Sequence, residues 1–163
     1  MSGAEAAGGR AHLRHTLATL AYRAGKALSG APASFAGFRA GETTRTPLLI
    51  LAHMGDLMVW ALTQARGEER WVEATPGTWE QEVGRFFAGI SELDAYLASE
   101  EPLGQAEGRL FQGAVADALT HVGQINLLRR MAGAPVRGEN YNRADVQAGR
   151  VGPDQAPPRR EFD

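Results

Sequence analysis

The chain of 163 residues contains no cysteine. This absence excludes disulfide bonds, thiolate nucleophiles and thiolate metal ligands, so any bound metal ion must be held by nitrogen and oxygen atoms. An excess of positive charge is also lacking, since 17 lysines and arginines stand against 19 aspartates and glutamates, for a formal net charge of -2. This balance gives no indication of nucleic acid or an acidic membrane surface as a partner.

Long apolar runs are lacking as well. No uninterrupted apolar stretch approaches the roughly 18 residues of a membrane span. The N-terminal sequence MSGAEAAGGR has no apolar region of the kind found in secretion signals. We therefore expect a cytoplasmic protein without membrane contact. A content of 44% hydrophobic and 22% charged residues is typical of a soluble globular domain.

Apolar residues recur at helical spacing in four segments, separated by stretches rich in glycine, proline and threonine. The segments cover approximately residues 11–28, 47–66, 79–97 and 109–132. The pattern predicts an all-α protein in which the four helices bury their apolar stripes against one another as a four-helix bundle. We expect residues 1–133 to form this bundle and residues 134–163 to form an irregular C-terminal tail, packed on it within the same domain.

Two of the predicted helices have strong start signals. Thr46 is a good N-cap residue, and Pro47 suits the first helical position, where its missing N–H costs nothing. Thr78 and Gln81 match the capping box, in which each side chain binds a free backbone N–H near the other. These signals predict where the second and third helices begin.

Three polar residues occupy positions that the helical pattern assigns to the protein interior. Asp117 and His121 fall inside the apolar arc of the fourth helix, and His53 lies near the middle of the apolar arc of the second. A buried carboxylate without compensation costs several kcal/mol or becomes neutral. The positions therefore indicate a group that compensates these side chains.

A metal ion would provide that compensation. Residues four apart on a helix have Cβ atoms about 5–6 Å apart, so Asp117 and His121 can both reach one zinc ion at about 2.0–2.2 Å. His53, from a facing helix, would be the third ligand. Three such ligands leave a coordination position open for water or substrate, as in catalytic zinc sites. The alternative is an Asp117–His121 hydrogen bond that satisfies both groups without a metal.

The roles of three neighbouring residues stay open. Gln124, one turn after His121, either orients a ligand imidazole or faces a polar loop. Trp60, two turns after His53, belongs either to the core or to the wall of the site. Asp56 lies at the edge of the apolar arc and is interpreted as a surface residue, or at most as a partner of a ligand. No catalytic base is identifiable, so the catalytic residues stay unknown.

Two stretches resemble the DinB/YfiT superfamily of four-helix metalloproteins. TPLLILAHMGDLMVWAL is similar to the second helix of that family, whose single metal-binding histidine corresponds to His53. DALTHVGQINLLRRMAGAPV resembles the fourth-helix pattern His-x3-His, followed by Gly-Gln and a short Gly-Pro exit. His121 matches the second histidine of the pattern. Asp117 replaces the first, which resembles the Glu-x3-His version in mycothiol-dependent maleylpyruvate isomerases of the same superfamily.

This resemblance extends over about residues 10–133 and implies an up-down-down-up bundle and a homodimer. It also implies a divalent metal ion, zinc first, with nickel, manganese and iron as alternatives. Relatives include metal-dependent hydrolases and S-transferases or isomerases that use a low-molecular-weight thiol cosubstrate, all acting on small molecules. The alternative function is a non-enzymatic helical bundle that binds a small ligand or serves in a stress response. A purely structural domain is the third possibility.

Overall fold

The computed structural model describes the backbone of residues 3–163 and the side chains of residues 8–163. It is mainly helical, as the sequence predicts. The helices are α1 (Gly3–Leu28), α2 (Pro47–Ala65), α3 (Trp79–Ala98), α4 (Glu107–Leu110) and α5 (Ala116–Met131). A π-helical segment, Phe111–Val115, joins α4 to α5 without a break. The predicted fourth helix therefore exists as one helical stretch, residues 107–131, but it contains an irregularity that the sequence pattern did not indicate.

The long helices pack around one core. Helices α1 and α2 each contact both α3 and α5. The apolar stripes predicted from the sequence are buried in this core, with three exceptions. The buried members are Leu13, Leu17, Leu20, Ala24 and Leu28 of α1, Ile50, Leu57 and Ala61 of α2, Phe86, Phe87, Ile90, Leu93 and Leu97 of α3, and Leu110, Ala114, Ala118, Ile125 and Leu128 of the last helical stretch. The exceptions are Leu49, which lies in the first turn of α2 and is exposed, and Trp60 of α2 and Val83 of α3, which are partly buried.

Both predicted helix starts are confirmed. The Thr46 side chain accepts a hydrogen bond from the backbone N–H of Leu49, and Pro47 is the first residue of α2. Thr78 and Gln81 form both hydrogen bonds of the capping box at the start of α3. Such caps satisfy backbone donors that have no partner within the helix.

The apolar character of α2 corresponds to its place in the core. By length and composition alone, Pro47–Ala65 would be able to cross a membrane. Polar residues such as His53 and Asp56 interrupt its sequence, so no uninterrupted apolar run marks it. However, 72% of it lies buried inside the fold. Core helices of soluble proteins commonly meet the same criterion, so α2 gives only weak evidence of a membrane segment.

Residues after α5 return to α1. Two short strands, β1 (Gly138–Glu139) and β2 (Glu161–Phe162), pair in antiparallel fashion, and Val151 between them is part of the core. These strands escaped prediction because two residues are too few to form an alternating pattern. The C-terminal tail is thus attached to the helices at several points.

The junction between the tail and α1 contains a buried Tyr22–Glu139–Lys26 cluster. The Tyr22 hydroxyl donates to Glu139 Oε1 at 2.7 Å, and Lys26 Nζ donates to Glu139 Oε2 at 2.9 Å. Burial, and then the hydrogen bond to Glu139, raises the pKa of Tyr22 well above its ordinary value. The phenol that holds the tail therefore stays protonated to a higher pH than an ordinary tyrosine does.

This cluster predicts an alkaline limit for the tail's attachment. A raised pKa in the folded state means that the Tyr22 contribution to stability is complete below about pH 10 and is lost as the pH rises through the folded value. We expect an ultraviolet titration to contain one phenolate that forms only well above pH 10. In Tyr22→Phe this late phenolate should be missing; if the titration curve keeps it, the assignment is wrong.

Candidate metal centre

The three sequence-predicted ligands come from two helices in contact. His53 lies in the second turn of α2, whose start is fixed by the Thr46 cap. Asp117 and His121 lie one turn apart near the start of α5, directly after the π-helical segment. Since α2 packs against α5, the three side chains meet. One ligand atom from each lies within 4.8 Å of the other two.

The two imidazoles face opposite oxygens of one carboxylate. His53 Nε2 lies 3.4 Å from Asp117 Oδ2, and His121 Nε2 lies 3.4 Å from Asp117 Oδ1. Both distances are longer than the roughly 2.7–2.9 Å of a hydrogen bond between charged groups. The His53 contact is a hydrogen bond of long, weak geometry, and the His121 contact is a proximity without a hydrogen bond, so the carboxylate is not strongly bonded to either ring.

These distances fit a shared tetrahedral ion. Two ligand atoms that each lie about 2.0–2.2 Å from such an ion are separated by about 3.4 Å. Each imidazole–carboxylate distance has this value, although the two distances end on different oxygens of Asp117, so the carboxylate would have to turn for one oxygen to serve both imidazoles. The two histidine nitrogens lie within 4.8 Å of each other, so a small inward rotation of the rings would complete the set. Two imidazole nitrogens and one carboxylate oxygen also suit zinc chemically.

Gln124 determines which nitrogen of His121 is available. Gln124 Oε1 lies 2.8 Å from His121 Nδ1. A carbonyl oxygen can only accept, so Nδ1 must donate its hydrogen. In the neutral ring the lone pair then belongs to Nε2, the atom that faces Asp117. Of the two sequence interpretations of Gln124, the structure favours the one in which it orients the imidazole.

The centre is open to solvent, which differs from the sequence expectation. The side chains of His53 and His121 are 25% and 12% exposed, but that of Asp117 is 45% exposed. The carboxylate is therefore not deeply buried, and desolvation gives no argument for a compensating ion. The helical wheel misjudged Asp117 because it specifies a direction and not how fully a neighbour covers that direction.

Aromatic side chains surround the centre on one side. The rings of His53 and His121 meet edge to face at 5.0 Å between centroids, and Trp71 lies 5.8 Å from His53. Trp60 packs against Trp71 and next to Gly113 in the π-helical segment. Trp60 is half-buried and belongs to both the core and the wall of the site. Trp71 was missed because it lies in a loop, where no periodicity marks it.

Each ligand borders a separate surface depression. His121 and Gln124 line one of 420 Å³ together with Ile50, Leu127 and Leu128. His53 lines one of 260 Å³ that also contains Asp56 and Glu73, and Asp117 lines a third of 420 Å³ beside Trp60. A small molecule would therefore be able to approach the centre from several directions.

Asp56 is buried, and its interpretation as a surface residue is wrong. Its Oδ1 accepts a hydrogen bond from Arg85 at 2.7 Å and another from the backbone N–H of Ala74 at 3.3 Å. Arg85 also pairs with the buried Glu82 and donates to the carbonyl oxygen of Ala52, beside His53. Burial alone would lower the pKa of Arg85, but the hydrogen bonds and charges of the two carboxylates raise it.

Gly55 makes this network possible. A Cβ atom at that position would lie 2.8 Å from the guanidinium carbon of Arg85, which is closer than nonbonded carbon atoms approach. The glycine thus lets Arg85 lie flat against α2. The network ties together α2, α3 and the loop that carries Trp71.

The structure therefore brings together His53, Asp117 and His121 as the sequence predicts, with Gln124 and Trp60 beside them. The Arg85 network and Trp71 are additions. No protein-family model matches the chain, and comparisons with curated proteins and with solved structures found no match either.

Proposed function

We propose that His53, Asp117 and His121 bind one divalent metal ion and that the protein is a metal-dependent enzyme for small molecules. The observation that carries the proposal is the shared carboxylate, whose two oxygens each face one imidazole Nε2 at 3.4 Å. Each separation is too long for a strong hydrogen bond and matches one edge, about 3.4 Å, of a tetrahedral coordination shell. One ligand atom from each of the three residues lies within 4.8 Å of the other two, so a turn of the carboxylate and the rings would bring them to one ion.

Zinc is the proposed ion. The donor set of two nitrogens and one oxygen suits it, and no cysteine is present to make a thiolate site. Three protein ligands would leave a coordination position for water or substrate. Nickel, manganese and iron are the alternatives, since nitrogen and oxygen ligands also accept them.

The proposed family is the DinB/YfiT superfamily, on the sequence motifs around His53 and His121. The contacts of α1 and α2 with both α3 and α5 support a four-helix bundle. For the up-down-down-up order, the connection 66–78 would reach about 40 Å when extended, which exceeds the roughly 28 Å length of α2. It is therefore long enough for α3 to run parallel to α2. The homodimer is proposed on the sequence resemblance alone.

A divalent ion bound here would act as a Lewis acid and lower the pKa of a water or thiol. The chain's own contribution is to hold the ligands: Gln124 fixes the ring of His121, and α2 carries His53 rigidly. Hydrolysis uses an activated water. S-transfer or isomerisation would use a low-molecular-weight thiol cosubstrate, because the protein has no thiol of its own.

A second candidate function is non-enzymatic binding of a small ligand. The depression of 420 Å³ beside His121 supports it, because this surface is apolar along Ile50, Leu127 and Leu128. The two candidates differ in their need for a metal. The enzyme requires the ion at the three ligands, whereas the binding protein would hold its ligand equally well after treatment with a chelator.

Metal titration of the protein tests the proposal. Protein purified without an affinity tag and treated with a chelator should take up one zinc ion per chain in a calorimetric titration, and its melting temperature should rise because binding favours the folded state. No saturable uptake, or uptake without a change in melting temperature, would contradict a metal site in the folded protein.

A further inference from the structure

Arg45 stands between two of the depressions that border the metal centre. It lines the depression of 420 Å³ together with His121 and the depression of 260 Å³ together with His53. It directly precedes Thr46, the N-cap of α2, so a well-defined helix start holds its backbone. A positive charge therefore lies at two of the three depressions that border the centre.

The guanidinium of Arg45 is available to a ligand. Among residues 8–163, no carboxylate lies within ion-pair distance of it, whereas Arg14, Arg85 and Arg150 each have an acidic partner. Two acidic residues line the smaller depression. Asp56 is paired with Arg85, and Glu73 is exposed to solvent, so neither carboxylate neutralises Arg45.

The larger depression combines this charge with an apolar wall. Ile50, Leu127 and Leu128 line it. Leu127 is 59% exposed, so its apolar side chain is accessible to a ligand. Small-molecule pockets combine apolar walls with a few placed polar groups, and this depression has that combination. Charge, apolar wall and metal ligand thus border one space.

We propose that Arg45 binds the carboxylate of a small apolar carboxylic acid whose hydrocarbon part lies along Leu127 and Ile50. The other end of the molecule would then lie at the metal centre. One guanidinium matches one carboxylate through two parallel hydrogen bonds, and Arg45 is the only lysine or arginine among the described residues that line this depression. Arg45 is therefore proposed as a specificity residue. A reaction of the bound acid at the metal rests on the proposed function, whereas its binding to Arg45 does not.

Three probe molecules separate the contributions. Hexanoate carries both charge and chain, acetate only the charge, and hexanamide only the chain. Binding is measured by NMR titration of the chelator-treated protein, so that no probe can bind through a metal ion. Hexanoate should bind about tenfold tighter than acetate, because its extra methylenes cover apolar surface. It should also bind about tenfold tighter than hexanamide, because the ion pair is then lost.

Two variants locate the effect. Arg45→Gln should weaken hexanoate binding about tenfold and leave hexanamide unchanged, and Leu127→Ser should remove most of the preference for hexanoate over acetate. Arg109→Gln, the same change at an exposed arginine of α4, is the matched control and should bind like the unmodified protein. Circular dichroism checks that each variant is folded.

The proposal is overturned if hexanoate fails to bind, if hexanamide binds as tightly, or if Arg45→Gln and Arg109→Gln behave alike. Its failure differs from that of the proposed function. Zinc uptake without Arg45-dependent carboxylate binding would overturn this inference alone. Carboxylate binding that depends on Arg45 in a protein that takes up no zinc would support the inference and reject the metal enzyme.

Discussion

Replacing His121 with alanine is expected to abolish zinc binding while the protein stays folded. The change removes one of three donors and leaves Asp117 with one imidazole partner. The loss of affinity should exceed the roughly 10–100-fold that follows loss of a residue which only supports a ligand. Competition with a chromophoric chelator measures it. His12→Ala is the matched control, because His12 is exposed on α1 and distant in sequence from the centre.

Two further variants distinguish a metal site from a hydrogen-bonded cluster. Asp117→Asn keeps the shape of the side chain but removes its charge, and His53→Gln removes the ligand from α2. If the three groups bind a metal, both variants should lose zinc affinity together with His121→Ala. If Asp117 only bonds to the histidines, each variant should change thermal stability without changing its response to zinc. Unaltered zinc occupancy in His121→Ala would refute the ligand assignment.

Replacing Arg85 with methionine is expected to destabilise the fold by about 3 kcal/mol. Both Asp56 and Glu82 pair with Arg85 and are buried. Without Arg85, both carboxylates would stay in the interior without a cationic partner. Breaking a buried ion pair costs about 3–5 kcal/mol, and the lower end applies because Arg85 is 26% exposed. For a chain of this size the melting temperature should fall by roughly 6–12 °C.

A compensated variant tests the reason for this loss. Combining Arg85→Met with Asp56→Asn and Glu82→Gln leaves no unpaired charge, so much of the stability should return. Arg109→Met, on the exposed surface of α4, should change the melting temperature little. If Arg85→Met is as stable as Arg109→Met, the network does not hold the loop that carries Trp71 onto α2.

The parts of the fold that the sequence predicts are those with local causes. Thr46 and Thr78 cap helices through neighbours within three residues, and the apolar stripes need only the helical period. The π-helical segment Phe111–Val115 has no such signature, since its residues are ordinary helix formers apart from Gly113. The pairing of β1 with β2 depends on contacts between residues distant in sequence, which a local pattern does not contain.

The site divides in the same way. His53, Asp117 and His121 stand out because polar residues interrupt apolar stripes, and their positions on two amphipathic helices predict that they meet. The Asp56–Arg85 pair was missed because Arg85 alone, on a helix face with mixed polarity, indicates nothing about its partner. Arg45 and Trp71 lie outside the helices, where only the folded chain brings them to the centre.

The most direct test of the metal centre is a crystal structure of the protein with zinc, using anomalous scattering at the zinc absorption edge. The account predicts one anomalous peak, with His53 Nε2, His121 Nε2 and a carboxylate oxygen of Asp117 each about 2.0–2.2 Å away. A peak bound elsewhere, or the side chain of His53 turned away from Asp117 and His121 with no peak between them, would contradict it.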